Sequence, residues 1–226
     1  MKQVIKKIPF AGSILRGIYR RLINPPKPFP GSENYWIERY ESGGNSGDGS
    51  YNELAEFKAE VINDFVQQKN IKTVAEYGCG DGNQLKLANY PSYTGFDVSP
   101  KAVSICRDAF LDDDTKTFKL MDNYEGETAD LTMSLDVIYH LVEDSVFIDY
   151  MNRLFDSSNG FVMIYSSNTD SHPEDPVSHV KHRNFSEWVK RKKSEWKLVQ
   201  HIPNRHPDQG DTKTGSIADF FVFERG

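Results

Sequence analysis

The 226-residue sequence predicts an α/β fold: a mainly parallel sheet covered by helices on both faces. Three observations carry this. Short apolar runs rich in β-branched and aromatic residues alternate with longer stretches whose apolar residues recur at helical spacing. A glycine cluster, Gly78-Cys79-Gly80-Asp81-Gly82, follows the first of those runs directly. Carboxylates at Asp97 and Asp122 end the next two runs. In a parallel sheet all three features fall at the carboxyl ends of strands, where ligands bind.

The length suits one domain with a small appendage, and 38% hydrophobic residues are enough to build its core. No apolar run is long enough to span a bilayer. Cys79 and Cys106, the two cysteines, make neither a disulfide framework nor a metal-ligand spacing, which places the chain in a reducing cytoplasm with no metal site. The net charge of -6 argues against general nucleic-acid affinity, and it conceals an asymmetry. Residues 1–28 carry +7 with no acid, and the remainder carries -13.

Residues 1–30 therefore read as a separate head. Ile14, Leu15, Ile18, Tyr19, Leu22 and Ile23 recur at helical spacing, with Arg16, Arg20 and Arg21 on the other side. Asn24-Pro25-Pro26-Lys27-Pro28-Phe29-Pro30 ends that helix in a stiff linker. Two readings stand open: an end helix packed on its own domain, or a basic amphipathic helix over residues 1–24 in peripheral contact with an anionic membrane. The second places the protein on the inner face of the membrane.

Residues 31–226 form the main domain. Ser50-Tyr51-Asn52-Glu53 has the form of a capping box, followed by Leu54, Phe57, Val61 and Phe65 on one helical face. Lys72–Tyr77 reads as a first strand, Gln84–Ala88 as a helix and Tyr93–Val98 as a second strand. Pro100 sits at a favoured first-turn position of the helix carrying Ala102, Val103 and Cys106. Thr117–Met121 and Leu131–Leu135 are the third and fourth strands. Asp144 is placed to cap a helix with Val146, Phe147, Tyr150, Met151, Leu154 and Phe155 toward the core. Gly160–Tyr165 is a fifth strand, Phe185, Trp188 and Val189 mark a late helix, and Lys197–Ile202 and Ala218–Phe223 complete the set.

Alternating glycines let the loop after the first strand turn sharply and let a ligand approach its backbone. The spacing is G-x-G-x-G, whereas the dinucleotide fingerprint would put its last glycine at Asn83, which disfavours a nicotinamide-dependent reductase. Acids at Glu76 and Asp81 suit a ligand with positive charge better than a pyrophosphate. Asp97 is placed to accept from both hydroxyls of a ribose, and Asp122 from an adenine amino group.

The segments Val74–Gly82, Tyr93–Ser99 and Ala129–Ile138 resemble the successive motifs of class I S-adenosylmethionine-dependent methyltransferases. The resemblance runs from about Tyr35 to the C-terminus. It implies a Rossmann-like seven-stranded, mostly parallel sheet with an antiparallel last strand. It implies S-adenosylmethionine as cofactor, with its methionine end on Glu76, Gly78, Cys79, Gly80 and Gly82, its ribose on Asp97 beside Val98, and its adenine by Asp122 and Asn123. Tyr35–Tyr40 looks like the lid segment of many such enzymes, which offers Arg39 as a carboxylate contact. The chain departs from the family's "VIEHL" variant at Tyr139.

His140, directly after the fourth strand, is the expected catalytic base, its imidazole titrating near neutrality and matched to an acceptor hydroxyl. Asp136 is placed to orient it or to lie along the methionine portion of the cofactor. Five of the six histidines, His172, His179, His182, His201 and His206, cluster near the C-terminus. Lys181 and Arg183 beside them would repel a metal, so Tyr139, His179, His182 and Arg183 read as acceptor contacts instead. Lys190–Lys193 reads as a solvated helix face. The sequence thus points to a methyltransferase acting on a sugar or lipid-linked glycan hydroxyl in cell-surface polysaccharide synthesis. Its rivals are a small-molecule O- or N-methyltransferase and a non-catalytic, cofactor-binding protein peripheral to the membrane. Nucleic acid is not an expected partner, because no base-flipping signature follows the fourth strand.

Overall fold

A computed structural model describes residues 28–171 and 177–226. The expected head helix and His172 lie outside the described residues. No helix among the described residues is long and apolar enough to cross a membrane.

Seven strands form one sheet in the order β3-β2-β1-β4-β5-β7-β6. They are β1 (Val74–Tyr77), β2 (Tyr93–Asp97), β3 (Lys116–Leu120), β4 (Ala129–Leu135), β5 (Ser158–Ser166), β6 (Trp196–Ile202) and β7 (Asp219–Arg225). β1 to β5 pair in parallel, and β7 runs antiparallel between β5 and β6. The mostly parallel sheet with an antiparallel last strand is the expected one. The order reverses at β1, and the crevice outside the ends of β1 and β4 is where such a sheet takes ligands.

Among the described residues five helices accompany it: α1 (Ser32–Glu41), α2 (Asn52–Gln68), α3 (Pro100–Ala109), α4 (Asp144–Asp156) and α5 (Phe185–Lys192). The pleat sends alternate strand residues into two cores. On one face Val74, Leu131, Met133 and Val222 pack with Phe57, Ile62 and Phe65 of α2 and Val103 and Cys106 of α3. On the other, Ala75, Tyr77, Val162 and Phe223 meet Phe147, Met151 and Phe155 of α4 and Phe185 and Val189 of α5. Central strands buried on both faces read as continuous apolar runs, which is why the sequence located them well.

Local details correct several expectations. The capping box at Ser50 does not form, since α2 starts one residue later than that box requires, with Tyr51 at its cap and no side-chain bond there. Ser50 ends a 3-10 turn, its carbonyl taken by Asn83 Nδ2 (2.8 Å). The expected helix at Gln84–Ala88 is a 3-10 turn over Gln84–Leu87, because Asn63 captures both the Leu87 carbonyl and the Asn89 amide. Glu143, not Asp144, is the cap position of α4. Asp144 instead binds Lys181 and Arg183, and their charges hold its carboxyl down at about 2. Val146 is exposed at the rim of the ligand cavity rather than buried in the core. Lys193 is buried against Asp156, so the basic run is not uniformly solvated. The lid segment is regular helix throughout α1.

Candidate active site

A cavity of about 430 Å³ opens at the carboxyl ends of β1, β2, β3 and β4, large enough for a nucleoside-sized ligand. The glycine loop forms its floor. Gly78, Gly80 and Gly82 have φ of 86, 59 and 72°, where side chains are strained. A Cβ on Gly80 would stand 2.2 Å from Ser46 Oγ and 2.8 Å from the Tyr40 hydroxyl, and one on Gly78 2.5 Å from Val137 Cγ2. Gly82 serves packing, since its Cβ would meet Cys106 and Phe110 at 3.0 Å. The Gly78 and Cys79 amides donate to the Phe96 carbonyl, at 2.7 and 3.0 Å. Asp81 does not face the ligand as a free acid. It accepts from the Ser46 and Asn83 amides and the Tyr51 hydroxyl, which docks the 45–51 loop onto the glycine loop.

Asp97 accepts from the Gly80 amide at 3.0 Å and the Ser99 amide at 2.9 Å, so its carboxylate is fixed at the cavity wall. Burial pushes its pKa up to about 6 against those donors. Glu76 accepts from the Tyr93 hydroxyl at 2.6 Å, and burial pushes it up to about 7. Two neighbours escaped the sequence reading. Lys58 of α2 is buried in the cavity wall, its ammonium 2.7 Å from Asp136 Oδ2. Gln84 lines the same wall, with Nε2 donating to the Ala55 carbonyl (2.9 Å) and Oε1 buried without a partner. Neither carries a local motif; a lysine on an amphipathic helix ordinarily reads as solvated.

Asp136 follows β4 in the left-handed region, at φ 59°. Its Oδ1 accepts from the Tyr139 hydroxyl at 2.9 Å. His140 lines the cavity beside Trp36, their rings 5.0 Å apart and edge-on. Its Nδ1 lies 3.0 Å from the His179 carbonyl. A carbonyl only accepts, so Nδ1 carries the proton and Nε2 the lone pair. Burial pushes the His140 pKa down to about 4, not near neutrality as expected. Partial burial lowers His179 too.

Glu76, Gly78, Cys79, Gly80, Asp97, Val98, Asp122, Asp136 and His140 thus line one cavity. The remaining expected residues stand outside its lining. Arg39 donates to the Asn45 carbonyl at 2.7 Å and lies over the Trp36 ring at 5.5 Å. Asn123 is exposed on the turn after β3. His179 stacks on Tyr35, with centroids 4.4 Å apart. His182 lies 2.7 Å from Ser167 Oγ and lines a second cavity with His201 and Asp219. Arg183 supports the loop after β4, donating to the Leu141 carbonyl (2.7 Å) and the Val142 carbonyl (2.9 Å). No group of three His, Cys, Asp or Glu able to hold a metal occurs among the described residues.

The site suits the adenosyl cofactor on three counts: the Gly80 cradle has no room for a side chain, Asp97 is fixed beside it, and an acceptor atom on Gln84 is left open. Comparison with known proteins agrees. Residues 75–164 match the family model described as a methyltransferase domain. Among solved structures, N-methyltransferase NodS from Bradyrhizobium japonicum WM9, in complex with S-adenosyl-L-homocysteine, superposes with a TM-score of 0.63 at 14% identity, over 86% of this chain and 98% of that one. Magnesium protoporphyrin IX methyltransferase from Synechocystis PCC 6803, with bound S-adenosylhomocysteine, gives 0.60 at 15% identity, over 86% and 98%. The methyltransferase domain of bacterial CtHen1-C gives 0.58 at 18%, over 75% and 97%. No curated protein sequence matches the chain significantly. Glycine loop, strand-end carboxylates and sheet order give the chain a class I methyltransferase fold, and the family match over residues 75–164 marks an S-adenosylmethionine-dependent methyltransferase domain within it.

Proposed function

We propose that this enzyme methylates a hydroxyl of a sugar or glycan of the kind built into cell-surface polysaccharide, with His140 taking the hydroxyl proton. The observation that carries the reading is the His140 imidazole, held neutral, in one tautomer, at the cavity wall. When bound, the cofactor supplies an activated methyl on a sulfonium. What remains for the protein is alignment and proton removal. The loop after β4 carries the base, and it is fixed from both sides: Ser32 of α1 binds Glu143, and the 179–183 segment binds Tyr139, His140 and Leu141. Trp36, Ile37, Leu141 and Val146 give the cavity an apolar wall, while Glu33 and Asp149 add carboxylates. That lining suits a neutral, hydroxyl-bearing acceptor over an anionic one.

The experiment is to incubate the protein with methyl-labelled cofactor and separate pools of cell-envelope glycans, sugar nucleotides, phenols and amines. Label recovered as an O-methyl sugar supports the reading. Label confined to nitrogen, or to acceptors without a sugar, overturns it in favour of small-molecule methylation.

A further inference from the structure

We infer that Lys58 and Gln84 read the two charged groups at the methionine end of the cofactor, Lys58 taking the α-carboxylate and Gln84 Oε1 accepting from the α-ammonium. The Lys58 side chain is 1% exposed, and a buried ammonium is costly unless its hydrogens are used. One hydrogen goes to Asp136 Oδ2 at 2.7 Å, and the Nζ lies 5.2 Å from the centre of the Tyr165 ring. That partner is shared, because Asp136 Oδ1 is already taken by Tyr139. Asp136 is its counterion, and the two other Lys58 N–H groups have no protein acceptor among the described residues.

Gln84 presents the complementary defect. Its Oε1 is buried without a donor, a state that costs stability in the empty protein and is relieved by a ligand N–H. The two groups line the same cavity. Gln84 Nε2 is anchored on the Ala55 carbonyl, one turn before Lys58 on α2, and residues three apart share a helix face. An unfinished cation and an unfinished acceptor in one cavity are the complement of an α-amino acid.

Other candidates for the carboxylate are spent or misplaced. Arg39, which the sequence suggested, holds Asn45 outside the cavity lining. Arg153 lies over the Tyr124 ring at 5.0 Å, beside the turn after β3 that bears Asp122. His140 is neutral over the physiological range. For the ammonium, Glu76 contributes charge nearby, but its Oε2 already takes the Tyr93 hydroxyl.

The test is calorimetry on the full chain with two ligand pairs: S-adenosylmethionine against its decarboxylated form, and S-adenosylhomocysteine against its deaminated analogue. In the wild type, loss of the carboxylate should weaken binding about 10- to 100-fold, the scale of a charge-assisted hydrogen bond. Lys58→Met should abolish that difference, so that both cofactor forms bind alike, whereas Lys58→Arg should retain it. Gln84→Met should abolish the penalty for removing the amino group and leave the carboxylate penalty intact. Lys58→Met strands Asp136, so if it fails to fold the Lys58→Met/Asp136→Asn pair, which removes both charges, replaces it. A carboxylate penalty that survives loss of Lys58, or an amino penalty that survives loss of Gln84, overturns the assignment.

Discussion

His140 combines two properties that pull against each other. Its Nδ1–H is held by the His179 carbonyl at 3.0 Å, which leaves Nε2 free to accept a proton. The same burial lowers its pKa to about 4, so it is deprotonated whenever the enzyme works but is a modest base. A base of that kind produces no acid limb near the usual histidine value. The pH profile of kcat/KM, measured with the true acceptor, should be flat over about pH 5.5–8. His140→Gln should lower kcat by about 10²–10⁴-fold while calorimetry shows cofactor affinity unchanged. A limb near the unperturbed value would mean that another group takes the proton.

At the scale of elements, the acceptor side depends on one joint between α1 and the loop ahead of α4. The Ser32 amide donates to Glu143 Oε1 at 3.0 Å, its hydroxyl to Oε2 at 2.5 Å, and the Val142 amide back to Ser32 Oγ at 2.9 Å. Ser32 is 3% exposed, so its own amide and hydroxyl have little water to replace the carboxylate. Holding so many donors keeps the Glu143 carboxyl below its ordinary range despite burial. Ser32→Ala should cost about 1–3 kcal/mol, read as a lower thermal midpoint, by breaking hydrogen bonds to a charged group. It should also reduce kcat more than cofactor affinity, because the joint holds the His140 loop and not the glycine loop. Equal losses in both would place the joint's role in general stability.

Over the whole molecule, buried carboxyls at the cofactor site set how stability follows pH. Glu76 holds its proton in the folded protein up to about pH 7, whereas the unfolded chain releases it near 4.5. Between those values the folded state binds more protons, so stability falls as pH rises. Asp97 acts in the same direction between 3.8 and about 6, for the same cause of burial. His140 acts oppositely between about 4 and 6.5, where the unfolded chain binds the extra proton. Above the range of His140 the carboxyls dominate. The ligand-free protein should therefore lose thermal stability as pH rises from about 6 to 8, by an amount on the order of 1 kcal/mol after the opposing His140 contribution. Glu76→Gln should flatten that slope, and a variant with an unchanged slope would show that the carboxyl is not the source.

The sequence by itself determined the sheet, the glycine loop and the strand-end acids. Each is local: apolar runs buried on both faces, glycines where φ is positive, carboxylates at the last residue of a strand. It also located His140, because that residue follows β4 directly. It did not show that Arg39 would bind the Asn45 carbonyl, Asp81 the 45–51 loop and Arg183 the carbonyls ahead of α4. It passed over Lys58 and Gln84, which line the cavity with α2 bonded to the turn after the glycine loop. Whether a polar side chain is solvated, spent on a loop or left open toward a ligand depends on what the chain brings opposite it. For those residues the partners lie between 2 and 78 positions away, and only the tertiary structure chose them.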